Sequence, residues 1–353
     1  MDFTFKTYEK LLNALFAQGF SFLTFAQYTE AKSHNSPLTS HNSPLTSHLS
    51  SLTSHLSPLI ILRHDVEARY PNALRMAQIE NSLGIKGSYY FRIFQNQGNG
   101  QIIKQIAAMD HEIGYHYDDL TVCKGDRQNA LERFKKNLTY LRQFGRVTTI
   151  TMEGAPLSKY DNRELWGKVK VKAEVKENPT QIMFRAESRS QPQPEPQPQP
   201  KPEPQPEPQP HYTHYGILAE PYFDLNFNQM FYLTDTGRRW DGHRYNIRDK
   251  ATAENPISNY QFLKLKFHST HDLINAINNF DNSPAPNTKL SEAKSRECSD
   301  SGHQTLNTFP PQAMLNFHPQ RWNDAFVPWV KELVWQNVKN QGKRILLKVR
   351  SRE

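Results

Sequence analysis

Residues 59–67 read LIILRHDVE: Leu59, Ile60, Ile61 and Leu62 run directly into Arg63, His64, Asp65, Val66 and Glu67. Four consecutive aliphatic residues, two of them β-branched, fit a strand buried on both faces. Polar side chains at the close of such a strand are costly unless they are paired or bound to something. If the strand continues with its period of two, Asp65 and Glu67 project from the same side. Two carboxylates there can hold a hard or borderline cation, or one can hold it while the other takes a proton. Asp65 has a plainer alternative, which is to cap the following helix or to pair with Arg63.

Working outward, the segments GSYYFRI, HEIGYHY, VTTITMEG, FYLTDTG and AMLNFHP are further short apolar runs rich in β-branched and aromatic residues. Helical periodicity lies between several of them. In ALRMAQIENSLG, Leu74, Ala77, Ile79 and Leu83 mark one side and Gly84 offers a stop. GQIIKQIAAM and RQNALERFKKNLTYLRQFG repeat the scheme. Strand, helix, strand in this order implies parallel strands, with ligands gathered at their C-terminal ends.

Two more polar clusters fall at such ends. HEIGYHYDD places His111, Glu112, His116, Asp118 and Asp119 together, with His116 and Asp118 on one side by alternation and His111 on the other. NFHPQRW supplies His318, a residue able to give or take a proton near neutral pH, beside Arg321 and Trp322, which suit a polar or sugar-like ligand. Glu153, Asp161, Asp235, Arg238, Arg239 and Trp240 fall on expected loops, where ion pairs that stabilise the loop are the plain reading.

The rest of the chain dilutes this core. Apolar residues make up only 37% of the 353, yet 20 Phe, 15 Tyr and 5 Trp argue for a folded protein. Three inserts reconcile the two facts. Residues 33–58 carry four copies of a seven-residue unit that begins SHNSPLT, too polar for a coiled-coil seam, and its recurring His34, His41, His48 and His55 reflect duplication. Residues 167–210 end in alternating prolines, which favour polyproline II, and residues 281–308 are Ser-, Pro- and Asn-rich. Without them about 250 residues remain, a size that suits one α/β barrel as well as two small domains, and the alternation of strands and helices favours the barrel.

The net charge of +8 is dispersed, which argues against nucleic acid as a partner. Cys123 and Cys298 are too few for a disulfide framework or a thiolate zinc cluster. No basic start followed by an apolar run opens the chain and no stretch has membrane-spanning length, so a cytoplasmic protein is expected.

RHDVE, GIKGSYYFRI, HEIGYHY and FHPQRW occur in the order and approximate spacing of the polysaccharide deacetylases of the NodB-homology type, carbohydrate esterase family four, which the chain resembles from about Leu59 to Arg344. The resemblance implies a single domain with a distorted (β/α) barrel, a divalent metal, often zinc, and removal of N- or O-acetyl groups from a carbohydrate. It implies Asp65 and His318 as catalytic base and acid. Asp65, Glu67, His116 and Asp119 become the candidate metal ligands, Asp119 because Leu120 stands where a second histidine is usual. Arg63, Arg239, Trp240, Arg321 and Trp322 become candidates for holding the sugar. A barrel of the same shape that binds a glycan or glycan precursor without turnover is the alternative.

Overall fold

The computed structural model describes residues 1–34, 58–94, 99–155, 158–166, 210–227, 229–240, 267–280 and 309–350. The three segments read as inserts lie outside the described residues, save for their end positions. The elements in chain order are α1 (Phe5–Ala17), β1 (Ser21–Leu23), α2 (Phe25–His34), β2 (Leu59–Val66), α3 (Tyr70–Ser82), β3 (Ser88–Phe91), α4 (Gly100–Ala107), β4 (Glu112–Tyr117), α5 (Asp119–Val122), α6 (Arg127–Leu141), β5 (Ile150–Met152), α7 (Pro221–Asp224), β6 (Phe231–Thr234), α8 (Thr270–Asn278), β7 (Gln312–Phe317) and α9 (Phe326–Arg350).

The strands join in the order β5-β4-β3-β2-β7-β6, and β1 pairs with the first half of β2 on the edge whose second half pairs with β3. Among the described residues every pairing is parallel. The sheet curls into a half-barrel. Helices interleave with the strands because parallel neighbours need crossover connections. The expected helix after RHDVE runs Tyr70–Ser82, and Gly84 follows it with a φ of +70°, a left-handed conformation that suits glycine.

Strand alternation sorts the side chains. Ile60 and Leu62 of β2, with Ala313, Leu315 and Phe317 of β7, turn to the face covered by α1 and α8 and join one apolar cluster with Tyr8, Leu11, Leu15 and Leu273. Ile113, Tyr115 and Tyr117 of β4 face α4 and α6 in a second cluster. On the opposite, inner face Leu59, Ile61 and Met314 meet Phe25, Ala219 and Phe227 at the N-terminal end of the strands. Fully burying each large side chain contributes about 1.5–3 kcal/mol. The upper half of that inner face is polar.

On the helix-covered face His64 stacks on Tyr89 at 4.1 Å with nearly parallel rings. Its Nε2 lies 2.9 Å from Glu80 Oε1 on α3, and Tyr8 of α1 hydrogen-bonds both groups. His111, on the other side of β4 from His116 as alternation requires, approaches Glu80 Oε2 at 3.5 Å and accepts the Gly87 N–H. This polar knot ties α1 and α3 to the central strand. Burial opposes the Glu80 carboxylate, but His64, His111 and Tyr8 outweigh it and hold its pKa below the usual range.

One close approach fixes the spacing of β3 and β4. A Cβ on Gly114 would run into the Tyr90 ring, which is fully buried and tied through its hydroxyl to Thr149 Oγ1 at 2.9 Å. Gly114→Ala is expected to cost about 1–3 kcal/mol, the range for overpacking a tight core. Urea unfolding of the two proteins checks it, and equal midpoints would show that the ring has room to move.

Candidate functional site

The C-terminal ends of β2, β4, β5 and β7 bring their inner-face residues into one group. From β2 come Arg63, Asp65 and, just past the strand, Glu67; from β4 comes His116; from the end of β5 comes Glu153; from β7 come Asn316 and His318. Register explains the convergence. Arg63 stands opposite Asn316, and His116 stands opposite Thr151, two residues before Glu153.

Asp65 is held as an anion. Its Oδ1 accepts Arg63 Nε at 2.9 Å, and its Oδ2 accepts Arg63 Nη2 at 2.9 Å and Asn316 Nδ2 at 2.8 Å. Burial alone would raise its pKa, yet Arg63, with His116 and His318 beyond it, brings the value to about 2. Pairing with Arg63, the plainer of the two sequence readings of Asp65, is therefore realised. Arg63 itself is fully buried against Tyr90 and Tyr222, so its guanidinium serves Asp65.

Glu67, His116 and Glu153 each offer a ligand atom, and the three atoms lie within 4.8 Å of one another. His116 Nδ1 faces the Thr151 carbonyl at 3.1 Å, so this nitrogen carries a hydrogen and leaves Nε2 turned to the carboxylates. Nε2 is 3.2 Å from Glu153 Oε2, a buried oxygen that receives no well-aligned hydrogen bond. The other oxygen, Oε1, accepts the Ala155 N–H at 3.0 Å. Glu67 is oriented by Gln320, whose Nε2 donates to Oε2 at 2.9 Å.

Electrostatics reflect this crowding. Burial and the neighbouring Glu153 raise the pKa of Glu67. Burial also disfavours the Glu153 anion, but His116 and Arg92 override it and set its pKa low. For His116 burial favours the neutral ring, and Asp65, Glu153 and Glu67 together reverse this, lifting its pKa to about 9. With that pKa Nε2 carries a proton between the two carboxylates at neutral pH; a divalent cation would displace it, and two carboxylates with one imidazole form a donor set zinc accepts.

Beside this group His318 is held by Asp235. The Asp235 carboxylate meets His318 Nδ1 at 2.6 Å and accepts its backbone N–H at 3.0 Å, Arg321 Nη1 at 2.8 Å and Trp322 Nε1 at 2.7 Å. Burial opposes the anion, but Arg321 and His318 lower its pKa. His318 Nε2 is left facing the site, 3.6 Å from Glu67 Oε1.

Several expected residues stand elsewhere. Asp119, expected at the metal, is turned to the helix-covered side because β4 ends at Tyr117 and α5 begins. Its carboxylate accepts the Tyr115 hydroxyl at 2.9 Å and Arg133 at 2.6 Å. Asp118 leaves the alternation at the same turn and is bound by Arg92 and Arg133, each at 2.6 Å. Leu120 is buried in the apolar cluster beneath. Trp240 and Trp322, expected to hold a sugar, are core residues. They pack edge-on to each other and against Phe317, and Trp240 Nε1 donates to Thr270 Oγ1 at 2.9 Å. Arg321 is buried on Asp235, and Arg239, half-buried, is engaged within the protein.

On sequence grounds Glu153 and Asp235 fall on loops, where ion pairing is the plain reading. The signal for Glu153 was the alternation Thr149, Thr151, Glu153, which continues the inner face of β5 by two residues. Asp235 carries no such mark, since its role depends on residues some 83 positions away.

What this fold and these side chains define is an α/β protein of parallel strands with a carboxylate and imidazole cluster at the strand ends. Compared with known proteins, the chain matches no family model, no curated protein and no solved structure.

A further buried acid lies on the inner face. Glu220 accepts the backbone N–H groups of Met152 at 3.1 Å and Tyr222 at 2.6 Å. Burial pushes its pKa up to about 8, against the pull of Arg63 and those two donors. The folded value lies above the ordinary 4.5, so this stability is fully present below about 4.5 and is lost as pH rises through about 8. Unfolding free energy is expected to fall by up to a few kcal/mol between those limits, and Glu220→Gln to remove most of the slope. Urea titrations across that range check it.

Proposed function

We propose that this chain is a metal-dependent carbohydrate deacetylase with a distorted (β/α) barrel, hydrolysing N- or O-acetyl groups. The observation that carries the reading is the cluster of Glu67, His116 and Glu153 set beside the Asp235–His318 pair. Glu67, His116 Nε2 and Glu153 Oε2 would hold the divalent cation, zinc by preference, with Glu153 taking the place that the sequence suggests for Asp119. When bound, such a cation polarises the acetyl carbonyl and lowers the pKa of water.

The chain's own residues divide the remaining work. Asp65, fixed as an anion by Arg63 and Asn316, keeps one lone pair on Oδ1. His318 receives orientation from Asp235 through Nδ1 and presents Nε2 as the proton donor to a departing amine or hydroxyl. Gln320 keeps the Glu67 carboxylate turned toward His116. The buried Trp240 and Trp322 take no part in holding the sugar, which weakens the reading of a binding protein built on them.

Elemental analysis of protein purified without chelator tests the cation site. The expected result is about one divalent ion per chain, lost in Glu67→Ala and Glu153→Ala. His318→Gln should keep the metal while acetate release from acetylated sugars drops about 10²- to 10⁴-fold, as for loss of a general acid. A chain that holds no divalent ion and releases no acetate after addition of zinc, cobalt or nickel would sink the proposal.

A further inference from the structure

The last helix, α9, is built the opposite way to a helix that docks by its apolar side. Its inward side is Trp329, Glu332, Gln336 and Asn340, spaced three or four apart as one helical face requires. Hydrogen bonds hold that face. Glu332 Oε2 meets Arg69 Nη2 at 3.1 Å, Gln336 Nε2 donates to Glu332 Oε1 at 2.6 Å, Asn340 Nδ2 donates to the Gly237 carbonyl at 3.1 Å, and Trp329 Nε1 donates to the Asp2 carbonyl at 2.5 Å. Rotating the helix by half a turn would break the contacts to Arg69, Gly237 and Asp2.

The consequence is an apolar outer face. Val327 is 61% exposed, Val334 57%, Trp335 56% and Val338 58%. At about 100° per residue the three valines fall within an arc of about 40°. Lys331 and Lys339 are exposed with them, and the Lys339 ammonium lies 5.2 Å from the centre of the Trp335 ring. Lys343, Arg344, Lys348 and Arg350 follow in the sequence, and the single acidic residue of α9, Glu332, is buried on Arg69. Six cations therefore stand against one neutralised anion.

Apolar side chains, a tryptophan and unopposed lysines on one exposed helix complement a surface that is apolar beneath a layer of negative charge. A second copy of the chain would instead bring like charges together. We propose that α9 seats the protein on an anionic lipid surface, with Val327, Val334, Trp335 and Val338 entering the headgroup boundary and the lysines lying among the phosphates. Attachment is to the surface: no helix among the described residues is long and apolar enough to cross a membrane. The inference uses no residue of the cation site and stands apart from the proposed chemistry.

Flotation of the full chain with phosphatidylserine/phosphatidylcholine vesicles, and with phosphatidylcholine vesicles alone, tests it. Expected are binding to the first, much weaker binding to the second, and release by added salt. The double substitution Val334→Glu and Val338→Glu should weaken binding at least about tenfold with the melting temperature unchanged, because both sites are exposed. Absence of binding to the anionic vesicles overturns the proposal, as does binding indifferent to the double substitution. A dimer in light scattering that the same substitution dissociates also overturns it, in favour of self-association.

Discussion

The Arg63–Asp65 pair sets the terms for the whole inner face. Taking two charges out of water costs several kcal/mol each, and only close contact with full hydrogen bonding offsets that. Here the partners are two residues apart on one strand and the contact is bidentate, so the pair is formed locally once β2 is extended. Asn316 then completes Asp65 from β7, which makes the seating of β7 beside β2 a condition for satisfying the charge.

His64, between the two, faces the opposite way and meets Glu80 and Tyr8. A single strand thus carries buried polar networks on both sides. Their demands reinforce each other through register: a slip of one residue would send Arg63 and Asp65 into the apolar cluster and His64 into the site. The cost of that error falls on charged groups, which gives β2 an unusually well-specified position in the sheet. The geometry of Glu67, one step beyond the strand, inherits that precision.

Much of this was readable in the amino-acid order. LIILRHDVE as a buried strand ending in polar groups, the side shared by Asp65 and Glu67, the opposed directions of His111 and His116, and the helix stop at Gly84 all follow from periodicity and are found. What failed depended on where a strand stops. Alternation placed Asp118 with His116, but the chain turns into α5 at that point, so the acids meet Arg92 and Arg133 instead. Trp240 and Trp322 look like ligand-binding residues only while their neighbours are unknown, and packing against Phe317 and each other makes them core. The inverted polarity of α9 was hidden for the same reason, since its inward side is chosen by Arg69, Gly237 and Asp2.

The polar residues of the site meet across great stretches of chain: Asn316 and Asp65 are 251 positions apart, and Gln320 and Glu67 are 253. Such contacts make for slow folding, because the ends of long loops must find each other before any contact rewards them. The entropy of closing a loop, however, grows only with the logarithm of its length, about 0.6 kcal/mol for each doubling. A chain already committed to closures of this span is therefore hardly burdened by additions within them. The heptad repeats of 33–58 fall within the 268-residue span from Asp2 to Thr270, and the proline-rich run of 167–210 falls within the 251-residue span from Asp65 to Asn316. Their presence marks where lengthening was cheap, and the strand ends mark where it was not.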